Sequence, residues 1–184
     1  MIYRSFQDLK LSALGMGAMR LPVIDGDDTR VDQELVNKMV ACAMEGGVNY
    51  YDTAWGYHGG QSELAMGRAL AAYPRESFYL ADKFPGYDLS NMDKVEEIFE
   101  KQLEKCGVEY FDFYLVHNVC ELNIEEYLNP AHRIYDYLTA QKKNGRIRHL
   151  GFSAHGSIPV MERFLNAYGE HMEFCQIQLN YLDW

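Results

Sequence analysis

The chain has 184 residues, 48 % apolar and 24 % charged, which is the length of one domain and a globular rather than disordered composition. Its 27 acidic against 17 basic residues leave a formal charge of −10, and no basic stripe is available to neutralise the phosphates of nucleic acid or an anionic membrane. No stretch approaches the ~20 consecutive apolar residues of a membrane span, and Met1 to Asp8 lack the basic start and apolar run of a secretory leader.

Apolar spacing predicts two short strands at the start, Ile2 to Phe6 and Leu9 to Leu14, as a hairpin. Leu14 to Arg20 reads as a buried strand running into a loop. Asp32 is placed to cap a helix that carries Leu35, Met39, Val40 and Ala43 on one face and stops at Gly46-Gly47. Val48 to Thr53 is the next strand, followed by a glycine-rich loop from Gly56 to Gly60 and a helix from Ser62 to Tyr73. Phe78 to Ala81 is a strand leading into Asp82-Lys83. Ser90 to Asp93 has the form of a capping box before a long helix striped by Val95, Ile98, Phe99, Leu103 and Cys106. Phe111 to His117 is strand-like, Ile134, Tyr137 and Leu138 lie on a helix ending near Asn144-Gly145, and Ile147 to Ser153 is a strand. Ser157-Ile158-Pro159 opens a last helix, and Phe174 to Tyr181 closes the chain as a strand.

After the opening segment, six strands alternate with five helices over a single domain, 1–184. That alternation implies parallel strands with helical crossovers, in an open doubly wound sheet or in part of an eight-unit barrel. The four cysteines, Cys42, Cys106, Cys120 and Cys175, include no Cys-x-x-Cys pair and read as buried, reduced thiols of a cytoplasmic protein. No His-x-His pair ends the first strand, so a metal-dependent hydrolase is disfavoured and no metal site is expected.

The polar residues that stand out sit at strand ends, where α/β folds place their chemistry: Asp52, Tyr57 just beyond, Lys83, His117, Ser153 and Gln178. A tyrosine of ordinary pKa ~10 donates a proton poorly at neutral pH. A lysine ammonium nearby favours the phenolate, an aspartate can hold the lysine, and a histidine can hydrogen-bond a carbonyl oxygen. That set suits protonation of a carbonyl while a cofactor delivers hydride. The usual dinucleotide fingerprint is absent, because Gly15-x-Gly17 continues as Ala18-Met19-Arg20. Trp55, Tyr57, Phe84 and Tyr87 suit an aromatic-lined pocket or ordinary packing beneath loops.

Gly46 to Tyr57 resembles the aldo-keto reductase signature, a glycine and a strand followed by Asp52-Thr53-Ala54 and Tyr57. Ser62-Glu63, Asp82-Lys83 and Asp112 to His117 are similar to three further family motifs in the same order, and Leu14 to Pro22 looks like a bacterial branch. The resemblance implies a (β/α)8 barrel, incomplete here with about six of its strands, behind a short N-terminal hairpin. It implies a small-molecule carbonyl substrate and NADPH, with NADH as the other possibility. Tyr57 would donate the proton, Lys83 and Asp52 would tune it, and His117 would place the carbonyl. Ser153 and Gln178 would hold the nicotinamide carboxamide, while Gly17, Ala18, Met19 and Asp52 would border the cofactor.

Two departures stand out. The family's Ser-Asn after the fifth strand is here Ser153-Ala154-His155, and a complete barrel takes ~250 residues, ~200 at the low end. Six strands leave two edges open, so self-association is expected. The alternative reading is a cofactor-binding regulatory or inactive fragment without turnover.

Overall fold

The computed structural model describes residues 1–182. They group into two compact units, Met1–Asp82 with Lys101–Phe111, and Lys83–Glu100 with the chain from Asp112 onward.

The first unit opens on the expected antiparallel hairpin, β1 (Tyr3–Phe6) and β2 (Leu9–Ser12), with Tyr3 opposite Ser12. Asn49 secures it: its Oδ1 accepts from the Ser12 N–H at 2.7 Å, and its Nδ2 donates to the Lys10 carbonyl at 2.9 Å. Three parallel strands follow, β3 (Met16–Gly17), β4 (Tyr50–Asp52) and β5 (Tyr79–Phe84), in a register that sets Gly17 beside Asp52 and Asp52 beside Ala81. The expected strand running into a loop over Leu14 to Arg20 is present, its strand part confined to Met16–Gly17.

Helix α1 (Gln33–Glu45) is capped by Asp32, whose Oδ1 accepts from the Leu35 N–H at 3.0 Å. Its buried stripe differs from the expected one. Val36 and Val40 are fully enclosed, whereas Leu35 and Met39 are 43 % and 40 % exposed. One residue of offset turns a helical stripe by about 100°. α2 (Gln61–Leu70) is shorter than expected and starts after Gly60, whose φ of 87° suits glycine. A Cβ on Gly67 would strike the backbone of Lys105 and Cys106, so that glycine lets α2 approach the end of α3 (Val95–Cys106).

In the second unit lie all of β6 (Phe111–Val119) but its first residue, β7 (Ile147–Ala154), β8 (Phe174–Ile177), α5 (Ile134–Lys143), α6 (Ile158–Tyr168) and a short α4 (Ile124–Leu128) that the apolar spacing did not reveal. β7 and β8 are parallel, with Gly151 beside Phe174. The core is aromatic: Phe99 meets Tyr114 edge-on at 5.1 Å, and Phe152 meets Phe164 at 4.9 Å. Each such ring contributes about 1.5–3 kcal/mol by burial.

Two boundaries are corrected here. Asp88, rather than Ser90, caps the segment before α3, accepting from the Ser90 N–H at 3.0 Å, and residues Leu89–Lys94 form a 3-10 turn. Asp88 lies two residues ahead of that amide, the spacing of an Asx turn, so its carboxylate closes the loop that a capping box would have opened. β8 ends at Ile177 rather than Tyr181, and beyond it Asn180 Oδ1 accepts from the Leu182 N–H at 2.8 Å in an Asx turn. Gln178 therefore lies just beyond the strand. The strands of the main sheet follow chain order, β3-β4-β5-β6-β7-β8.

Candidate active site

In the first unit, the ends of β3 and β4 are locked together. The Ala18 N–H donates to the Asp52 carbonyl at 2.8 Å, and the Thr53 N–H donates to the Ala81 carbonyl at 3.0 Å. Ser62 Oγ donates to the Ala18 carbonyl at 2.9 Å and lies 2.9 Å from Thr53 Oγ1. Asp52 is buried at the tip of β4, and Ala18 is fully enclosed. Met19 is 55 % exposed, and the space above Gly17 is open. Tyr57, half-buried, begins a short 3-10 turn, with its N–H on the Ala54 carbonyl at 3.2 Å.

The next residue, His58, was not singled out from sequence, yet it fixes this turn. It is buried with φ 55°. Its Nε2 accepts from the Leu21 N–H at 2.8 Å, so the proton sits on Nδ1, which faces the Asp28 carbonyl at 2.9 Å and Asp28 Oδ1 at 3.0 Å. The side chain thus ties the Tyr57 turn to the Leu21–Asp28 loop.

A second unanticipated cluster backs the end of β5. Glu63, Asp82 and Gln102 are fully buried, and Gln102 Nε2 donates to Asp82 Oδ1 at 2.8 Å and to Glu63 Oε1 at 3.0 Å. Lys105 pairs with Glu63 and stands over the Trp55 ring at 4.5 Å. Burial, then the Asp82 charge, pushes the Cys106 thiol well above its ordinary value, so it stays protonated 3.8 Å from Asp82 Oδ2. A cleft of about 500 Å³ opens nearby, lined by Trp55, Leu64, Lys101 and Lys105 among others. Its cations are already engaged, Lys101 by Glu104 at 2.7 Å and Lys105 by Glu63, so the expected chemistry does not gather there.

In the second unit, Lys83 is buried near the end of β5, and His117 is half-buried towards the end of β6. Burial, then the Lys83 charge and that of His155, lowers the His117 imidazole to about 3. It is neutral at physiological pH and retains one N–H to donate. The Tyr127 hydroxyl holds the His117 carbonyl at 2.6 Å, and the Tyr87 ring stands edge-on to the imidazole at 5.2 Å. Of the aromatic residues noted in the sequence, Phe84 is core, whereas Tyr87 is partly exposed beside His117. Ser153 is buried at the end of β7, its Oγ accepting from the Asn118 N–H at 2.8 Å. Gln178 is exposed. Cys106 and Cys120 are buried as expected, but Cys42 and Cys175 are exposed. Among the described residues no group of three potential ligands gathers to hold a metal ion.

Residues 13–184 match the model of the Aldo/keto reductase family. The chain belongs to that family. It is 26 % identical to the NADH-specific methylglyoxal reductase of Escherichia coli, over 96 % of this chain and 57 % of that protein. It is 27 % identical to L-galactose dehydrogenase of Arabidopsis thaliana, over 79 % of this chain and 45 % of that enzyme. Among solved structures it resembles a holo-form aldo-keto reductase from Bacillus halodurans, with a TM-score of 0.77 and 23 % identity, over 97 % of this chain and 58 % of that one. It also resembles an aldo-keto reductase from Klebsiella pneumoniae in complex with NADPH, with a TM-score of 0.75 and 19 % identity, over 97 % and 59 %. The fold of this aldo-keto reductase chain is thus an incomplete (β/α)8 type behind an N-terminal hairpin. The chain spans about half the length of the curated relatives it matches.

Proposed function

We propose that this aldo-keto reductase chain serves the NAD(P)H-dependent reduction of an aldehyde or ketone to an alcohol. The observation that carries the reading is the match of residues 13–184 to the Aldo/keto reductase family. The half-buried His117, whose imidazole pKa is lowered by burial to about 3, suits it by offering an N–H to a carbonyl oxygen while staying neutral. The family motifs assign the remaining roles. Tyr57 donates its phenolic proton to the carbonyl oxygen, Lys83 stabilises the phenolate left behind, and Asp52 holds the lysine. His117 orients the carbonyl.

The nicotinamide supplies the hydride that joins the carbonyl carbon. The donor set fits that group, since the Ser153 hydroxyl and the Gln178 amide are of the kind that binds a carboxamide. Gly17, Ala18 and Met19 border the same group in this reading, Ala18 through its backbone because its side chain is enclosed. NADPH is favoured by the complex from Klebsiella pneumoniae, and the NADH-specific relative keeps NADH as the other candidate.

Nicotinamide oxidation with a panel of simple aldehydes, ketones and sugars tests the reading. Tyr57→Phe should lower turnover by at least ~10²-fold while leaving cofactor affinity within about twofold. Equal turnover would remove Tyr57 from its role. Because the chain spans about half of its relatives' length, the second reading is a cofactor-binding piece without turnover. Tight dinucleotide binding with no reduction of any carbonyl would select it.

A further inference from the structure

Where the turn that carries Tyr57 meets α3, the first unit holds the cleft of about 500 Å³, a volume within the ~300–1,000 Å³ of small-molecule pockets. None of its lining residues has a catalytic or cofactor role in the reading above. The Trp55 indole and Leu64 line it from one stretch of the chain, and Lys101, Glu104 and Lys105 line it from α3. Two interactions fix that surface in advance. Lys105 pairs with Glu63, which is fully buried and bonded in turn by Gln102 Nε2 at 3.0 Å. The same ammonium stands over the Trp55 ring at 4.5 Å. An ammonium has three N–H donors, so the contact with Glu63 leaves others for the cleft. Lys101 meets Glu104 at 2.7 Å, but both side chains are more than half exposed, and such a pair is weak enough to yield to another anion.

The cleft surface thus presents two cations and one exposed carboxylate, with Glu63 enclosed behind Lys105, in a chain of formal charge −10. An indole and a leucine side chain suit a flat apolar ring, and two lysines beside them suit a carboxylate on that ring. We propose that this cleft binds a planar aromatic carboxylate, its ring against Trp55 and Leu64 and its charge on Lys105 and Lys101. Because Lys105 already holds the indole, little ordering is left for the ligand to impose. A ligand seated there braces the turn that presents Tyr57. The inference does not depend on the reductase reading.

Naphthoate and its uncharged counterpart naphthamide, titrated calorimetrically into the full chain, separate the ring from the charge. Thermal unfolding is recorded in parallel. The parent should bind naphthoate at a single site, at least about fivefold tighter than naphthamide, and bound naphthoate should slow amide exchange in residues 55–64 and 101–105. Lys101→Glu, a replacement on an exposed side chain, should weaken naphthoate about tenfold and leave naphthamide within about twofold. Leu64→Trp fills the cleft and should weaken both probes with little change in melting temperature. Should that variant unfold, Lys101→Glu and the exchange pattern decide by themselves. Equal affinity for the two probes in the parent, unchanged naphthoate affinity in Lys101→Glu, or protection confined to other segments would overturn the inference. A parent that bound neither probe would overturn it too.

Discussion

His117 carries a charge state set by its surroundings. Burial first, then the neighbouring Lys83 and His155 charges, lowers its pKa from the ordinary 6.5 to about 3. Between those values the unfolded chain binds a proton that the folded chain refuses, so its contribution to stability is complete above pH 6.5 and is lost as pH falls towards 3. Urea unfolding should show stability declining over that window, with a shallower decline in His117→Gln. The imidazole resonances of His117 should stay unshifted from pH 8 down to pH 5. A titration near 6.5 would contradict the neutral role. At this scale the identity of the residue was legible, since a histidine near a strand end in Asp112 to His117 stands out in the sequence. Its charge was not, because burial and the approach of Lys83 from another strand come only with folding. For the same reason Ala18 could be located but not found enclosed.

His58 ties the turn that presents Tyr57 to the Leu21–Asp28 loop. Removing the imidazole leaves the Leu21 N–H without its acceptor in a buried place, at a cost of about 1–3 kcal/mol. His58→Ala should therefore lower the unfolding free energy by that amount, measured in urea, and loosen the Leu21–Asp28 loop in hydrogen exchange. An unchanged stability would refute the clamp.

Another histidine ties two segments of the second unit. His132 Nε2 meets Glu126 at 2.7 Å and its Nδ1 meets Asp93 at 2.6 Å, and those bonds, the one to Glu126 foremost, raise its pKa. Its contribution is fully present below pH 6.5 and is lost as pH rises through the raised value. Amide exchange in residues 85–94 and 120–133 should accelerate over that rise, and His132→Gln should abolish the dependence. Local signals were legible in the sequence, as Asp32 three residues before Leu35 illustrates. Links such as His58 to Leu21 and His132 to Asp93 were not, because no short motif spans their separations in the chain.

For the molecule as a whole, the alternation of strands and helices, read from the periodicity of apolar residues, implied parallel strands with helical crossovers but left a doubly wound sheet and part of a barrel both open. The observed sheet runs in chain order, as in a barrel. β3 and β8 each have one sheet neighbour among the described residues, and Ile177 and Leu179 at and just beyond the end of β8 are 55 % and 60 % exposed. Apolar edges of that kind favour pairing between chains. We propose that residues 1–184 act as one reductase-like domain that self-associates, so light scattering should give a mass of at least two chains, whereas a single-chain mass would refute the association. The expectation that the last strand extends to Tyr181 failed at the sheet's end, where β8 stops at Ile177. Apolar residues there look like strand in sequence, but the chain offers them no second partner.

The proposed chemistry is hydride transfer to a carbonyl carbon. Its most direct test is incubation of the chain with NADPH carrying deuterium at C4 of the nicotinamide, with the NADH counterpart in parallel, and an aldehyde that gives a single alcohol. Mass spectrometry then reads the product. Deuterium on the former carbonyl carbon, lost in Tyr57→Phe, is the predicted result. A chain that binds the dinucleotide and returns the aldehyde unreduced across the substrate panel would contradict the claim.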